Sequence, residues 1–309
     1  MENHDFYPEK PELVEKKIEK NTAKTVLSIL LFIIALNFVG ISDFSFIFFV
    51  IMVIFIHEIG HFSFMKLFKY KNVSMMFIPL MGAFVKGQKD NYEQKQSILV
   101  VMAGPIPGII LGMILLYFGT VLKMEWMFNL SLLFLFLNLT NLLPLDPLDG
   151  GQLFRLLINK GHELFQLVFS FISSLIVIGI GWYFNAWGII IFGFLMGFRV
   201  RAIQKNYQIH KDLAEENVNF KTTYKLLSNK DFSKIKQVVL NYTPALRTYM
   251  NQVESEVVDP VVASQVNSVL VSPFDKNASF LFKFITVLIW LLAFISPLLL
   301  VIYLKLIEL

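Results

Sequence analysis

Seven stretches of the chain, 26–41, 44–68, 98–122, 126–143, 164–184, 186–198 and 280–304, are apolar over lengths that a lipid bilayer rewards. Hydrocarbon offers a backbone no hydrogen-bond partner, so each stretch reads as a helix that satisfies its own amides. A content of 56% hydrophobic and only 16% charged residues exceeds what a soluble domain needs to fill its core. The expected fold is an all-α polytopic membrane protein of six or seven transmembrane helices, with a small β segment at the membrane edge and a cytoplasmic segment. The count turns on 164–198, which is uncharged, too long for one crossing and short for two. Asn185 at its middle marks a turn, so a tight helical hairpin is expected there.

Lysine and arginine set the orientation. Five lie in 1–24, six in 66–96, two in 144–162 and eleven in 199–278, whereas the opposite face has Lys123 and Lys305. By the positive-inside rule those four segments are cytoplasmic. The polar first 24 residues lack the pattern of a cleaved leader, so the first apolar stretch is expected to remain as an anchor. The formal charge of +4 thus reports topology and gives no reason to expect a nucleic acid partner. The expected layout is a tail at 1–24, a membrane core at 25–198, a cytoplasmic segment at 199–277 whose regulatory role is left open, and an anchor at 278–309. The expected location is a bacterial-type plasma (inner) membrane.

Into the second apolar stretch falls His57-Glu58-Ile59-Gly60-His61. Ionisable groups at that depth are costly unless they face a cavity, a metal or each other. Histidines four residues apart on a helix share a face, so both imidazoles can bind one zinc ion while the glutamate between them reaches its water. The chain has no cysteine, which leaves His, Asp and Glu as the available ligands. His57 precedes Lys66 by nine residues, about 13 Å at 1.5 Å per residue, which puts the site inside the bilayer on its cytoplasmic side. The fourth apolar stretch ends on the same side with Asn138, Asn141, Pro144, Asp146, Pro147, Asp149, Gly150 and Gly151. Proline and glycine break the helix there, and irregular backbone at this depth needs a protected or wet cavity. Either Asp146 or Asp149 can reach a metal from such a break, and chemistry alone does not choose between them.

The run Asn141-Leu-Leu-Pro144-Leu-Asp-Pro-Leu-Asp149-Gly150-Gly151 resembles the NxxPxxxxDG signature of site-2 proteases, and it follows HExxH in that family's order. The segment Gly82-Ala83-Phe84-Val85-Lys86 is similar to the family's glycine-containing strand, and the resemblance spans 44 to about 155. It implies one zinc ion on His57, His61 and Asp149, with Glu58 as general base and acid. It also implies that Asn141 positions the substrate carbonyl or its oxyanion. The implied activity is intramembrane zinc metalloprotease, a metalloendopeptidase cutting in or near a transmembrane segment of a membrane-protein substrate. The third apolar stretch keeps the family's Gly104-Pro105 but has Gly108 where many members have Asn, a departure that bears on helix packing or gating.

Residues 73–86 suit a strand or hairpin, whose free edge could take an extended substrate. In 199–277 apolar residues recur at helical intervals up to Pro244, whereas 253–273, rich in Val and Ser, suits extended chain. His4, His162 and His210 have no ligand spacing and read as solvated. The expected partners are the lipid bilayer and a membrane-protein substrate, with a regulatory protein or a homo-oligomer left open. Two other classes fit the polar constellation, a catalytically silent scaffold and a transporter. An intact Glu58 disfavours the first, and the lack of paired inverted repeats disfavours the second.

Overall fold

A computed structural model describes residues 7–13, 22–38, 42–78, 82–158, 162–252 and 255–307, and within them every apolar stretch is helical. In chain order the helices are α1 (Thr22–Phe38), α2 (Phe44–Leu67), α3 (Gln94–Ala103), α4 (Pro105–Val121), α5 (Glu125–Asn141), α6 (Asp149–Leu157), α7 (His162–Tyr183), α8 (Trp187–Glu215), α9 (Asn229–Asn241), α10 (Pro244–Gln252), α11 (Ser255–Val269) and α12 (Phe280–Ile307). Strands β1 (Lys71–Ile78) and β2 (Gly82–Gln88) form an antiparallel hairpin between α2 and α3. Among the described residues, five helical segments are long and apolar enough to cross a membrane: α2, α3 with α4, α7, α8 and α12. Large apolar side chains such as Phe48, Phe136, Phe198 and Leu298 are exposed on the helices, which makes this an integral membrane protein. The apolar part of α1, Thr25–Asn37, is shorter.

Contacts divide the chain into two compact units, one of Ile18–Lys89, Glu93–Lys160 and Asp275–Leu309, the other of Met1–Lys17, Asp90–Tyr92 and Gly161–Phe274. In the first, α2 packs against α3, α4, α5 and the hairpin, while α12 lies on α4 and α5. Its core joins Ile98, Ile109, Leu116, Leu135, Leu142 and Leu153. Two hydroxyls of the apolar α1 serve the hairpin: Thr25 Oγ1 donates to Met75 O (3.1 Å), and Phe77 N–H donates to Ser28 Oγ (3.2 Å). In a strand the N–H and C=O of one residue point to the same side, so Met75 and Phe77 turn theirs toward α1. The register pairs Met75 with Val85 and Phe77 with Ala83, so Ala83 and Val85 direct theirs away from β1. The turn of the hairpin, 79–81, lies outside the described residues.

In the second unit, 164–198 forms the expected hairpin. Asn185 adopts a left-handed conformation (φ 54°), and Ala186 N–H returns to Gly181 O at 2.8 Å, closing α7. Helix α8 does not stop at the end of its apolar stretch. It runs on to Glu215 and buries Ile209 and Leu213 among Phe220, Tyr224, Phe232, Ile235, Val239 and Val266, so the polar segment has a core of its own. Two expectations fail here. Residues 255–269 are helical rather than extended, because Val258, Val262, Ala263, Val266 and Val269 recur on one face and their burial outweighs the valine preference for strands. His210 is not solvated: it stacks on Phe220 (4.7 Å between centroids), with Nε2 2.8 Å from Val269 O. His4 lies outside the described residues.

The segment 7–13 is tied to this core. Lys10 Nζ donates to the carbonyls of Tyr224 (2.8 Å), Lys225 and Leu227 at the end of a 3-10 turn, and Tyr224 O–H donates to Pro11 O at 2.7 Å. Burial, with help from Asp259, pushes the Tyr224 phenol up to about 12, so it keeps its proton through the neutral range. Tyr224→Phe should cost about 1 kcal/mol of this attachment. Faster amide hydrogen exchange in 7–13, with exchange in α9 unchanged, is the expected reading.

Candidate metal centre

His57 and His61 sit one turn apart on α2, their rings nearly perpendicular (78°) with centroids 4.9 Å apart. Asp149 opens α6, after the break that follows α5. His57 Nε2 lies 3.1 Å from Asp149 Oδ2, His61 Nε2 lies 3.2 Å from the same oxygen, and the two Nε2 atoms are 3.2 Å apart. Three donor atoms thus form a nearly equilateral triangle, and all three side chains are largely buried. Donors about 2.0–2.1 Å from a tetrahedral ion lie about 3.3 Å from one another, close to this spacing. Asp146 is buried too, but its carboxylate turns to Arg155 (Oδ1 to Nη1 3.9 Å), so of the two acids it is Asp149 that the fold brings to the histidines.

The far nitrogens of both rings are engaged. His61 Nδ1 is 2.8 Å from Val100 O, and His57 Nδ1 is 2.8 Å from Asn138 Oδ1. A carbonyl only accepts, so a neutral His61 holds its proton on Nδ1 and turns a lone pair on Nε2 into the triangle. Val100 belongs to the last turn of α3, and the Gly104-Pro105 break ends that helix just after it. Together with the aspartate, this donor set suits a divalent cation.

Close approach explains the glycines. A Cβ on Gly60 would sit 1.9 Å from Ala103 O, and one on Gly104 would sit 2.2 Å from His61 Nε2, so α2 and the α3–α4 break meet backbone to backbone beside the ligand atoms. A Cβ on Gly150 would sit 2.1 Å from Leu142 O, and one on Gly151 would sit 2.4 Å from Leu145 O, so the 142–148 turn folds directly over the start of α6. Trp290 of α12 donates its indole N–H to Leu142 O (2.8 Å) and packs edge-on against Phe154, bracing that turn from outside.

Glu58 is 5% exposed, and its Oε2 is buried without a hydrogen-bond partner among the described residues. An unpartnered carboxylate oxygen next in sequence to His57 suits contact with water or substrate. Asn141 ends α5 half-buried, outside the triangle, with Nδ2 donating to Leu137 O (3.1 Å). Sequence reasoning gave no role to Asn138, Val100 or Gly104. The signal it had for Asn138 was a second asparagine three residues before Asn141, on the same apolar helix.

Residues 45–125 match the sequence model of Peptidase family M50. Zinc metalloprotease MJ0392 of Methanocaldococcus jannaschii is 27% identical over 145 residues, covering 45% of this chain and 42% of that protein. Stage IV sporulation protein FB of Bacillus subtilis is 29% identical over 117 residues, covering 36% of this chain and 39% of that protein. The chain therefore spans about two fifths of the length of these curated relatives. A solved structure described as Site-2 Protease from Methanocaldococcus jannaschii is 21% identical, covers 57% of this chain and 87% of its own, and has a TM-score of 0.46. The family match ends before Asp149, so the third donor rests on the geometry above.

Gly104→Ala should push a methyl group into the His61 ring. Metal content of the purified protein, measured by plasma mass spectrometry, should fall from one ion per chain to near zero, while helical content by circular dichroism stays the same.

Proposed function

We propose that this chain, whose residues 45–125 match peptidase family M50, is an intramembrane zinc metalloprotease. It cuts a peptide bond in or near a transmembrane segment of another membrane protein. The observation that carries the reading is the triangle of His57, His61 and Asp149 donor atoms 3.1–3.2 Å apart in a buried setting. These three residues hold one zinc ion, which when bound supplies Lewis acidity for attack on a carbonyl. Glu58 takes a proton from the attacking water and delivers it to the leaving amine. The Asn141 amide carries two hydrogens; one serves Leu137 O, and the other donates to the developing oxyanion.

The apolar stretches of α1 and α5 bring the crossings to seven, with the tail, the 199–277 segment and the metal site on the cytoplasmic side, as the Lys and Arg distribution supports. The host is a bacterial-type inner membrane. The layout is a tail at 1–24, a protease core at 25–198, a cytoplasmic regulatory segment at 199–277 and an anchor at 278–309. Water enters and products leave by the polar break at 142–151.

A substrate helix hides its peptide bonds in its own hydrogen bonds and must unwind before attack. The outward N–H and C=O groups of Ala83 and Val85 suit an added strand, and the hydroxyls of Thr25 and Ser28 already serve the other edge of the hairpin. Phe84 pairs with Met76 in the ladder, so a proline there would break the hairpin itself, whereas Val85→Pro removes only an outward N–H.

Glu58→Gln should keep its zinc and lose cleavage by about 10²- to 10⁴-fold. Comparing membrane-protein fragments in cells carrying wild type or Glu58→Gln reads this directly; identical fragment sets would remove the protease reading, and a transporter would show lost solute flux instead. Asn141→Leu should retain zinc and slow cleavage by about 10²- to 10³-fold. Val85→Pro should reduce cleavage with zinc content intact, and full activity in that variant would exclude pairing along β2.

A further inference from the structure

We infer that Asn138 is the positioning residue for His57, and that Gly108 exists as the seat for its amide. The inference rests on the metal site proposed above and extends it to a residue pair on two other helices. Asn138 is fully buried on α5, and both ends of its side chain are engaged. Nδ2 donates to Phe134 O at 2.7 Å, while Oδ1 lies 2.8 Å from His57 Nδ1. The first contact fixes the second. Turning the amide over would set two oxygens against each other at Phe134, so the group facing His57 is the acceptor. A neutral His57 therefore carries its proton on Nδ1 and points the lone pair of Nε2 at Asp149 and His61. Without that acceptor the ring is free to take the other tautomer, which puts a proton where the triangle needs a donor atom.

Gly108 of α4 supplies the space. A Cβ at 108 would lie 2.2 Å from Asn138 Nδ2, 2.5 Å from its Cγ and 2.6 Å from its Oδ1. The amide of 138 thus occupies the volume that any side chain at 108 would claim. Only one of the two positions can fill it, and an asparagine at 108 with residue 138 trimmed to alanine would deliver an amide to the same place from the opposite helix. The two positions form one exchangeable unit whose output is the orientation of the His57 ring.

The test uses full-length protein in detergent or lipid as wild type, Asn138→Leu, Gly108→Ala and the double variant Gly108→Asn with Asn138→Ala. Magic-angle-spinning NMR of ¹⁵N-histidine-labelled, metal-free protein reads the His57 tautomer, and chelator competition reads zinc affinity. Wild type should show the Nδ1–H form at His57, and Asn138→Leu should lose it. Asn138→Leu and Gly108→Ala should bind zinc about 10- to 100-fold more weakly, and the double variant should return to within about threefold of wild type. Thermal unfolding identifies variants that merely fail to fold, in which case the double variant decides. A folded Asn138→Leu with the wild-type tautomer and affinity overturns the inference, as does a folded double variant that recovers neither. If wild type itself takes up no zinc, the proposed function fails, while the tautomer of His57 still judges the role of Asn138.

Discussion

The organising constraint is the cost of burying two imidazoles and two carboxylates among apolar helices. Both imidazoles and the Asp149 carboxylate meet partners supplied by other helices, while Glu58 Oε2 alone is left for water or substrate. Seen this way, the helices of the first unit are arranged by what they donate. Helix α3 ends where Val100 O can meet His61, α5 carries Asn138 to His57, and α6 begins with the carboxylate that faces both rings. Ordinary apolar packing then fills the remaining space, with Val53, Leu130 and Phe134 beside the site and Ile98, Leu142 and Leu153 behind it.

Close packing follows from the same need. Reaching an Nε2–Oδ2 separation of 3.1 Å from two separate chain segments leaves little room for side chains between the backbones. Glycine at 60, 104, 150 and 151 provides that room, each at a point where a Cβ would lie within 2.4 Å of a backbone carbonyl or a ligand nitrogen. The break at 142–148 is accordingly rigid in construction: glycines bind it to α6 from inside, and Trp290 holds the Leu142 carbonyl from α12. A buried turn must leave no carbonyl unsatisfied, and the indole N–H answers that requirement for one of them.

The apolar stretches and the two histidines were legible because their signals are local. Hydropathy over about 20 residues and a spacing of four on a helix need no knowledge of the rest of the chain. The choice of Asp149 over Asp146 was not local, since both acids lie in one turn and the deciding contact of Asp146 is with Arg155, nine residues on. The Val100 carbonyl could not be read at all, because a backbone acceptor leaves no trace in residue type. In 255–269 the valine-rich composition misled, since strand preference is a surface property and this face is buried in a helical core.

Gly108 is the instructive case. Read along the chain it is one small residue in an apolar helix, and a feature at one position invites a local explanation. The structure relocates the question to α5, where a buried asparagine at 138 projects its amide into the space that a glycine at 108 leaves vacant. A polar group needed at one point in space can be delivered from any backbone that passes within reach, and close packing forbids delivering it twice. A side chain added at 108 therefore has to displace the amide at 138. What the fold provides here is a volume beside His57 filled by an acceptor from α5, with α4 left bare to admit it.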